Sequence, residues 1–274
     1  MRYGLLTDIH ANLPALTAAV RCLTAQGVDR WLCAGDVIGY GPQPNECVAE
    51  LAALDPVCVA GNHELVALGE LSGQRCSRRA RESLDWTREA LNPDSRAYLA
   101  ALPLAVEVPG LVMAHGSLSD PEEYVRSEAQ AEAQLARLAS AHPSAGVLVL
   151  GHTHRAWLYR QGPGDQPERS ADGSARLHRG SRYLVNAGSV GQSRQRERQP
   201  LARFALLELA EAGPAVSPVG VRFFAVDYDH RAVRGALRGK RLPSDSMHVR
   251  PGTLATAARR LRRAPGYLAR QLTR

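Results

Sequence analysis

The chain reads as a mixed α/β fold of the α+β kind. Short apolar runs alternate with helical patterns up to Ala60, and strand-like runs dominate beyond Leu111. The chain's 274 residues, 45% hydrophobic and 22% charged, are enough to bury a substantial core and exclude wholesale disorder or a fibrous class.

Tyr3–Thr7 is a short apolar strand. Asn12 is suited to cap a helix running to about Gln26, with Pro14 tolerated in its first turn. Trp31–Ala34 gives a second strand, Asn45–Leu54 a helix, and Pro56 precedes a third strand, Val57–Ala60. Residues 64–103 read as helical, with Pro93 ending one helix and Asp94 starting the next. Ala105–Val108 and Leu111–Ala114 flank a Pro-Gly turn and suggest a hairpin. A helix over Glu128–Ala141 leads into the strand Val147–Leu150. Further strands follow at Ala156–Tyr159, Tyr183–Val185, Phe204–Leu209 and Val219–Val226, and Gln161–Ser181 reads as a long surface loop or hairpin extension. No internal repeat or linker divides residues 1–228, and residues 229–274 form a basic, helical C-terminal extension broken by Pro243, Pro251 and Pro265.

The formal charge of +7 is unevenly placed. Residues 231–274 carry twelve Arg or Lys against the single acid Asp245, a net of +11; the remainder, with 22 basic and 26 acidic residues, carries −4. Nucleic acid is therefore a candidate partner of the tail alone, against the simpler reading of a solvated helix face. Arg outnumbers Lys 33 to 1, so an arginine at any one position carries little information. The longest apolar runs, such as Gly146–Leu150, are too short to cross a bilayer, and the opening strand leaves no secretory apolar region, so no membrane role is expected. Five Cys at 22, 33, 47, 58 and 76, with no CxxC, read as reduced, mostly packed thiols of a cytoplasmic protein.

The chemistry-bearing residues gather where strands end: Asp8-Ile9-His10, Gly35-Asp36, Gly61-Asn62-His63-Glu64, His115-Gly116 and Gly151-His152-Thr153-His154. Ligands of open α/β sheets bind at the carboxyl ends of strands. Imidazole and carboxylate together suit Zn, Fe, Mn or Co. With two Asp, one Asn and four or five His, the seven candidate ligands exceed what one tetrahedral ion takes and suffice for two ions sharing a carboxylate. Each motif alone is common by chance; five in this order are not.

The order D-x-H, G-D, G-N-H-E, H, G-H-T-H resembles the calcineurin-like metallophosphoesterase superfamily over residues 1–226. The stretches Gly35–Glu46, Leu84–Leu91 and Asn186–Gly191 are similar to its small prokaryotic branch of phosphodiesterases and diadenosine-tetraphosphatase-like proteins. The resemblance implies a two-sheet β-sandwich flanked by helices. It also implies two divalent metal ions, manganese first, with Fe, Zn, Ni or Co as alternatives. Asp8, His10 and His154 would hold one ion, Asn62, His115 and His152 the other, and Asp36 would bridge both. A hydroxide between the ions would attack phosphorus in line, Asn62 would touch the phosphate, and His63 would protonate the leaving oxygen as general acid.

The expected activity is thus that of a metal-dependent phosphodiesterase acting on a small phosphoester. A nucleotide or dinucleoside-polyphosphate hydrolase or phosphatase is the alternative. A non-catalytic scaffold on the same fold is disfavoured by the presence of His63, which such relatives typically lack. Protein phosphatases of the superfamily extend the second motif as GDxxDRG, whereas Gly39 and Tyr40 stand here in place of the second Asp and the Arg. That argues against a protein Ser/Thr phosphatase and leaves His63 to be oriented by a backbone carbonyl or a water. Tyr40, Asn45, Ser189 and Arg194 are further candidates for the substrate pocket, while Arg78, Arg79 and Arg81 read as surface charge. Oligomeric state is not legible in the sequence.

Overall fold

A computed structural model describes residues 1–162, 166, 167, 170, 172–195, 199–212 and 215–243. The first half runs β1 (Arg2–Leu6), α1 (Leu13–Ala25), β2 (Arg30–Cys33), α2 (Pro44–Ala52), β3 (Val57–Cys58), α3 (Asn62–Leu68), α4 (Arg78–Ala90) and α5 (Pro93–Ala100). The second runs β4 (Ala105–Val108), β5 (Leu111–Ala114), α6 (Glu128–Ala141), β6 (Val147–Val149), β7 (Ala156–Arg160), β8 (Ser174–Arg176), β9 (Tyr183–Ala187), β10 (Leu201–Ala212), β11 (Ala215–Asp227) and α7 (His230–Gly239).

The strands form two sheets, a six-stranded one in the order β3-β2-β1-β10-β11-β8 and a five-stranded one in the order β4-β5-β6-β9-β7. β1, β2 and β3 pair in parallel, as do β5, β6 and β9, so these strands deliver their carboxyl ends to one edge of each sheet. Side-chain alternation builds the layers. Tyr3, Leu5 and Leu32 of the first sheet meet Leu111, Met113, Val147 and Val149 of the second between the sheets. Their neighbours Leu6 and Cys33 face outward under α1 and α2, against Leu16, Leu23, Val48 and Leu51. Val112, Leu148 and Leu184 likewise face Leu135 and Leu138 of α6. The result is the helix-flanked, two-sheet sandwich expected. Truncating one of the central leucines, such as Leu5→Ala, costs about 2–5 kcal/mol.

Several boundaries differ from expectation for local reasons. α5 begins at Pro93 rather than Asp94, because Asn92 accepts the Ser95 N–H and proline is free to occupy the first helical position. α3 begins at Asn62, so Asn62 and His63 sit in its first turn. The Gln161–Ser181 stretch contains β8, which pairs antiparallel with β11. β10 and β11 extend beyond the apolar cores read in the sequence and form one long antiparallel pair. α7 is capped by the Asp229 carboxylate and packs Val233 and Leu237 against Tyr40 and Ala80. The rest of the basic extension, residues 244–274, lies outside the described residues. All five cysteines are free, and among the described residues no helix is long and apolar enough to cross a membrane.

Candidate metal centre

Five of the seven expected ligands hold a backbone conformation that non-glycine residues rarely adopt. Asp8, His10, Asp36, His152 and His154 all have φ between +51° and +64°. Each such residue costs on the order of 1–3 kcal/mol, a strain that persists at functional sites where the surroundings enforce it. Ala11 and Tyr40 beside them share it, so seven of the nine such residues among those described cluster here. The strain turns the chain back as it leaves β1, β2 and β6 and aims each side chain between the sheets' ends. Glycine is required where these turns touch: a Cβ on Gly61 would collide with the Asp36 carboxylate.

Two groups of ligand atoms result, each with all members within 4.8 Å of one another: Asp8, His10, Asp36 and His154, and Asp36, His115 and His152. Asp36 belongs to both. Its Oδ1 accepts the His63 backbone N–H at 2.9 Å, leaving Oδ2 facing His115 Nε2 at 3.2 Å and His10 Nε2 at 3.7 Å. Asp8 accepts from Thr7 Oγ1 at 2.6 Å and from the His152 backbone N–H, and its Oδ1 lies 3.1 Å from His154 Nε2.

Backbone carbonyls set the imidazoles. His10 Nδ1 lies 3.1 Å from the Ile38 carbonyl, His115 Nδ1 2.7 Å from that of Ala34, and His154 Nδ1 2.6 Å from that of Gln192. A ring that donates from Nδ1 presents the Nε2 lone pair, the arrangement found around metal-bound histidines. His10 Nε2 and His154 Nε2 stand 3.1 Å apart, two lone pairs that repel unless a cation or proton lies between them.

The residues fit a divalent cation. Asp8 and Asp36 are buried, and among the described residues neither pairs with Lys or Arg. Buried carboxylates without compensating charge are costly. Burial pushes both carboxyls up, but the neighbouring imidazoles, His154 at Asp8 and His115 at Asp36, outweigh it and hold them well below the usual range. Burial alone would lower His115, yet Asp36 pushes it up to about 10, so in the bare protein a proton there does the work of a cation. Asn62 Oδ1 and His152 Nε2 are buried with no partner among the described residues, two potential ligand atoms on residues that line the same cleft.

His63 sits apart from the ligand atoms, its Nε2 3.9 Å from Asp36 Oδ2. Burial pushes it down to about 4, with Asp36 opposing. The expected backbone carbonyl does not orient it: Nδ1 is buried and no described group bonds to it. Glu64 does more than begin a helix. Its buried carboxylate accepts the N–H groups of Asp36 (2.8 Å), Ile38 (3.1 Å) and Gly61 (2.7 Å), tying the β2 and β3 turns together.

A cleft of about 710 Å³ opens beside this centre, lined by Asp36, Asn62, His63, His152 and His154 on one side. Tyr40 and Arg194 line it too; Asn45 and Ser189 do not. Both Asn45 amide ends are committed to backbone, to Ala90 O and Asn92 N, so it joins α2 to α4 and α5. Ser189 is buried, donating to Asp8 O and accepting from Gln192 N, and holds the Asp8 turn. Arg78 and Arg79, read as surface charge, lie on the cleft wall with Arg75. Tyr124 carried no sequence signal, yet its ring stacks on His152 with centroids 3.9 Å apart.

A model of the calcineurin-like phosphoesterase superfamily domain matches residues 1–212. The crystal structure of a metallophosphoesterase from Sphaerobacter thermophilus is similar over 91% of this chain and 97% of its own, with 28% identity and a TM-score of 0.72. A hypothetical protein from Pyrococcus horikoshii shares the fold over 90% of this chain and 96% of its own, at 20% identity and a TM-score of 0.68. An uncharacterised protein of Methanocaldococcus jannaschii is 29% identical over 204 residues, 70% of this chain and 76% of that one. With most of its length matched and a His/Asp cluster suited to divalent metal, the chain belongs to the calcineurin-like phosphoesterase superfamily and is a metal-dependent phosphoester hydrolase.

Proposed function

We propose that the protein is a dinuclear phosphodiesterase. The observation that carries this is Asp36, which belongs to both groups of ligand atoms. In this reading Asp8, His10 and His154 hold one ion, Asn62, His115 and His152 hold the second, and Asp36 serves both. Bound divalent ions supply Lewis-acid stabilisation of the phosphoryl oxygens and a water nucleophile at neutral pH.

The chain's own residues do the rest. The strained turns hold the ligands in place before substrate arrives, so little reorganisation is needed during reaction. Arg194 meets the substrate phosphate. Among the described residues its guanidinium hydrogen-bonds to Tyr124 Oη and Gln192 Oε1, at 3.4 and 3.3 Å, and pairs with no carboxylate. His63 carries a proton to the leaving oxygen. Burial disfavours its charged form, and an anionic phosphate beside it works in the opposite direction. Tyr40 stands where an arginine would favour dianionic monoesters, which supports a diester substrate. Hydrolysis of bis(p-nitrophenyl) phosphate with added Mn²⁺ tests the reading; no turnover with Mn²⁺, Co²⁺, Ni²⁺ or Zn²⁺ would refute it.

A nucleotide or dinucleoside-polyphosphate substrate is the second reading. It is favoured by Arg75, Arg78 and Arg79 along the cleft wall; Arg75 is paired with Asp120 and Glu122 and Arg78 with Glu82, pairs that further phosphates would replace. Product analysis on a nucleotide panel separates the two.

A further inference from the structure

Among the described residues no hydrogen bond sets the angle of the His63 ring. Its Nδ1 is buried without a partner among the described residues, and Gly39, with φ +83°, lies so close that a Cβ there would strike Nδ1. An orienting side chain at position 39 has no room. What the described residues supply around it is ring packing. The His63 ring lies 4.7 Å from the His10 ring, at 63°, and 4.8 Å from the Tyr40 ring, at 44°. His10 is fixed from elsewhere, by the Ile38 carbonyl and its place among the ligands. Tyr40 is the wall that could move.

Several contacts hold that wall, among them a side-chain hydrogen bond with Ser77. The Tyr40 backbone is left-handed, φ +59°, and its N–H donates to Ser83 Oγ on α4 at 3.0 Å. Its side chain belongs to one buried apolar cluster with Ala80 of α4, Val233 and Leu237 of α7, and Leu242 just beyond α7. We infer that Tyr40 is the positioning residue for His63, and that α7 keeps Tyr40 against it. The inference rests on the proposed role of His63 as proton donor. It also gives the C-terminal helix, which lies beyond the residues 1–212 matched by the family model, a part in turnover. A proton donor displaced by about 1 Å can cost on the order of 10²-fold in rate.

The test uses the full-length, Mn²⁺-loaded protein and two diesters. p-Nitrophenolate departs without a proton, whereas phenolate departs slowly unless protonated. Tyr40→Leu, which keeps an apolar side chain in the cluster, is expected to lower kcat on diphenyl phosphate ~10-fold or more. On bis(p-nitrophenyl) phosphate it should cost less than ~3-fold, with KM and bound metal unchanged. Tyr40→Phe, which keeps the ring, should retain kcat on both. Leu237→Ala in α7, remote from the reacting atoms, should show the same leaving-group pattern at smaller size, and decides the matter if Tyr40→Leu does not fold. Equal losses on both diesters, loss of metal, or no loss at all would overturn the inference. If instead His63→Ala itself shows no dependence on the leaving group, the proton-donor reading fails and not the packing argument.

Discussion

Asp36 and Arg194 line one cleft but are held in different ways. Asp36 is buried and left-handed, its N–H bound to Glu64 and its Oδ1 to the His63 N–H, so its free oxygen has one place to point. Arg194 is only partly buried and rests on two long contacts, to Tyr124 and Gln192. The same contrast runs through the neighbourhood of each. Candidate metal ligands sit on strained turns braced by carbonyls and by Glu64, whereas Arg75, Arg78 and Arg79 sit on or just before α4, with Arg78 held by Glu82 on an exposed face. In the proposed reading this is a division of labour: a rigid centre would hold the chemistry and an adjustable arginine wall would choose the substrate.

Substitutions at the two places should therefore fail differently. The largest effect is expected at Asp36→Asn, which removes a ligand from both groups. Turnover should fall ~10³-fold or more, the upper range for losing a preorganised electrostatic contact, and metal analysis should show fewer ions per chain. His63→Ala should cost ~10²-fold in kcat on a poor leaving group while leaving the bound metal intact, read by the same analysis. At the adjustable wall, Arg194→Lys should raise KM ~10-fold with kcat little changed, because an ammonium cannot reproduce the planar fork; steady-state kinetics distinguishes this from a catalytic loss. The smallest change in activity should come from Glu64→Gln. Its amide offers one acceptor oxygen to three backbone N–H groups, so it should destabilise the fold by about 1–3 kcal/mol, seen as a lower Tm. A large KM effect at Asp36, or a loss of metal at Arg194, would break the contrast.

The rigid region is also the part that was legible in the sequence. Asp8, His10, Asp36, His115, His152 and His154 each follow an apolar run that had to be a strand, and parallel pairing brings those strand ends to one edge. Chemistry tied to backbone topology leaves a pattern in the chain. The cleft wall leaves none. Tyr124 comes from a loop between β5 and α6, and Arg79 from a helix that looked like solvated surface; their meeting depends on how layers pack. Asn45 and Ser189 misled for a related reason: a polar residue near a motif can serve the backbone as readily as a ligand, and both do. Glu64 shows the limit from the other side, since it stands in a motif the sequence picks out but its grip on the Asp36 and Ile38 amides needed the fold. The meeting of α7 with Tyr40 in one cluster was equally hidden, because an apolar helix face does not name its partner.

Anomalous diffraction from crystals soaked in Mn²⁺ tests the central claim most directly. Two peaks about 3.5–4 Å apart, one on each side of the Asp36 carboxylate, are the predicted result. A single peak, or a pair that leaves Asp36 untouched, would contradict it.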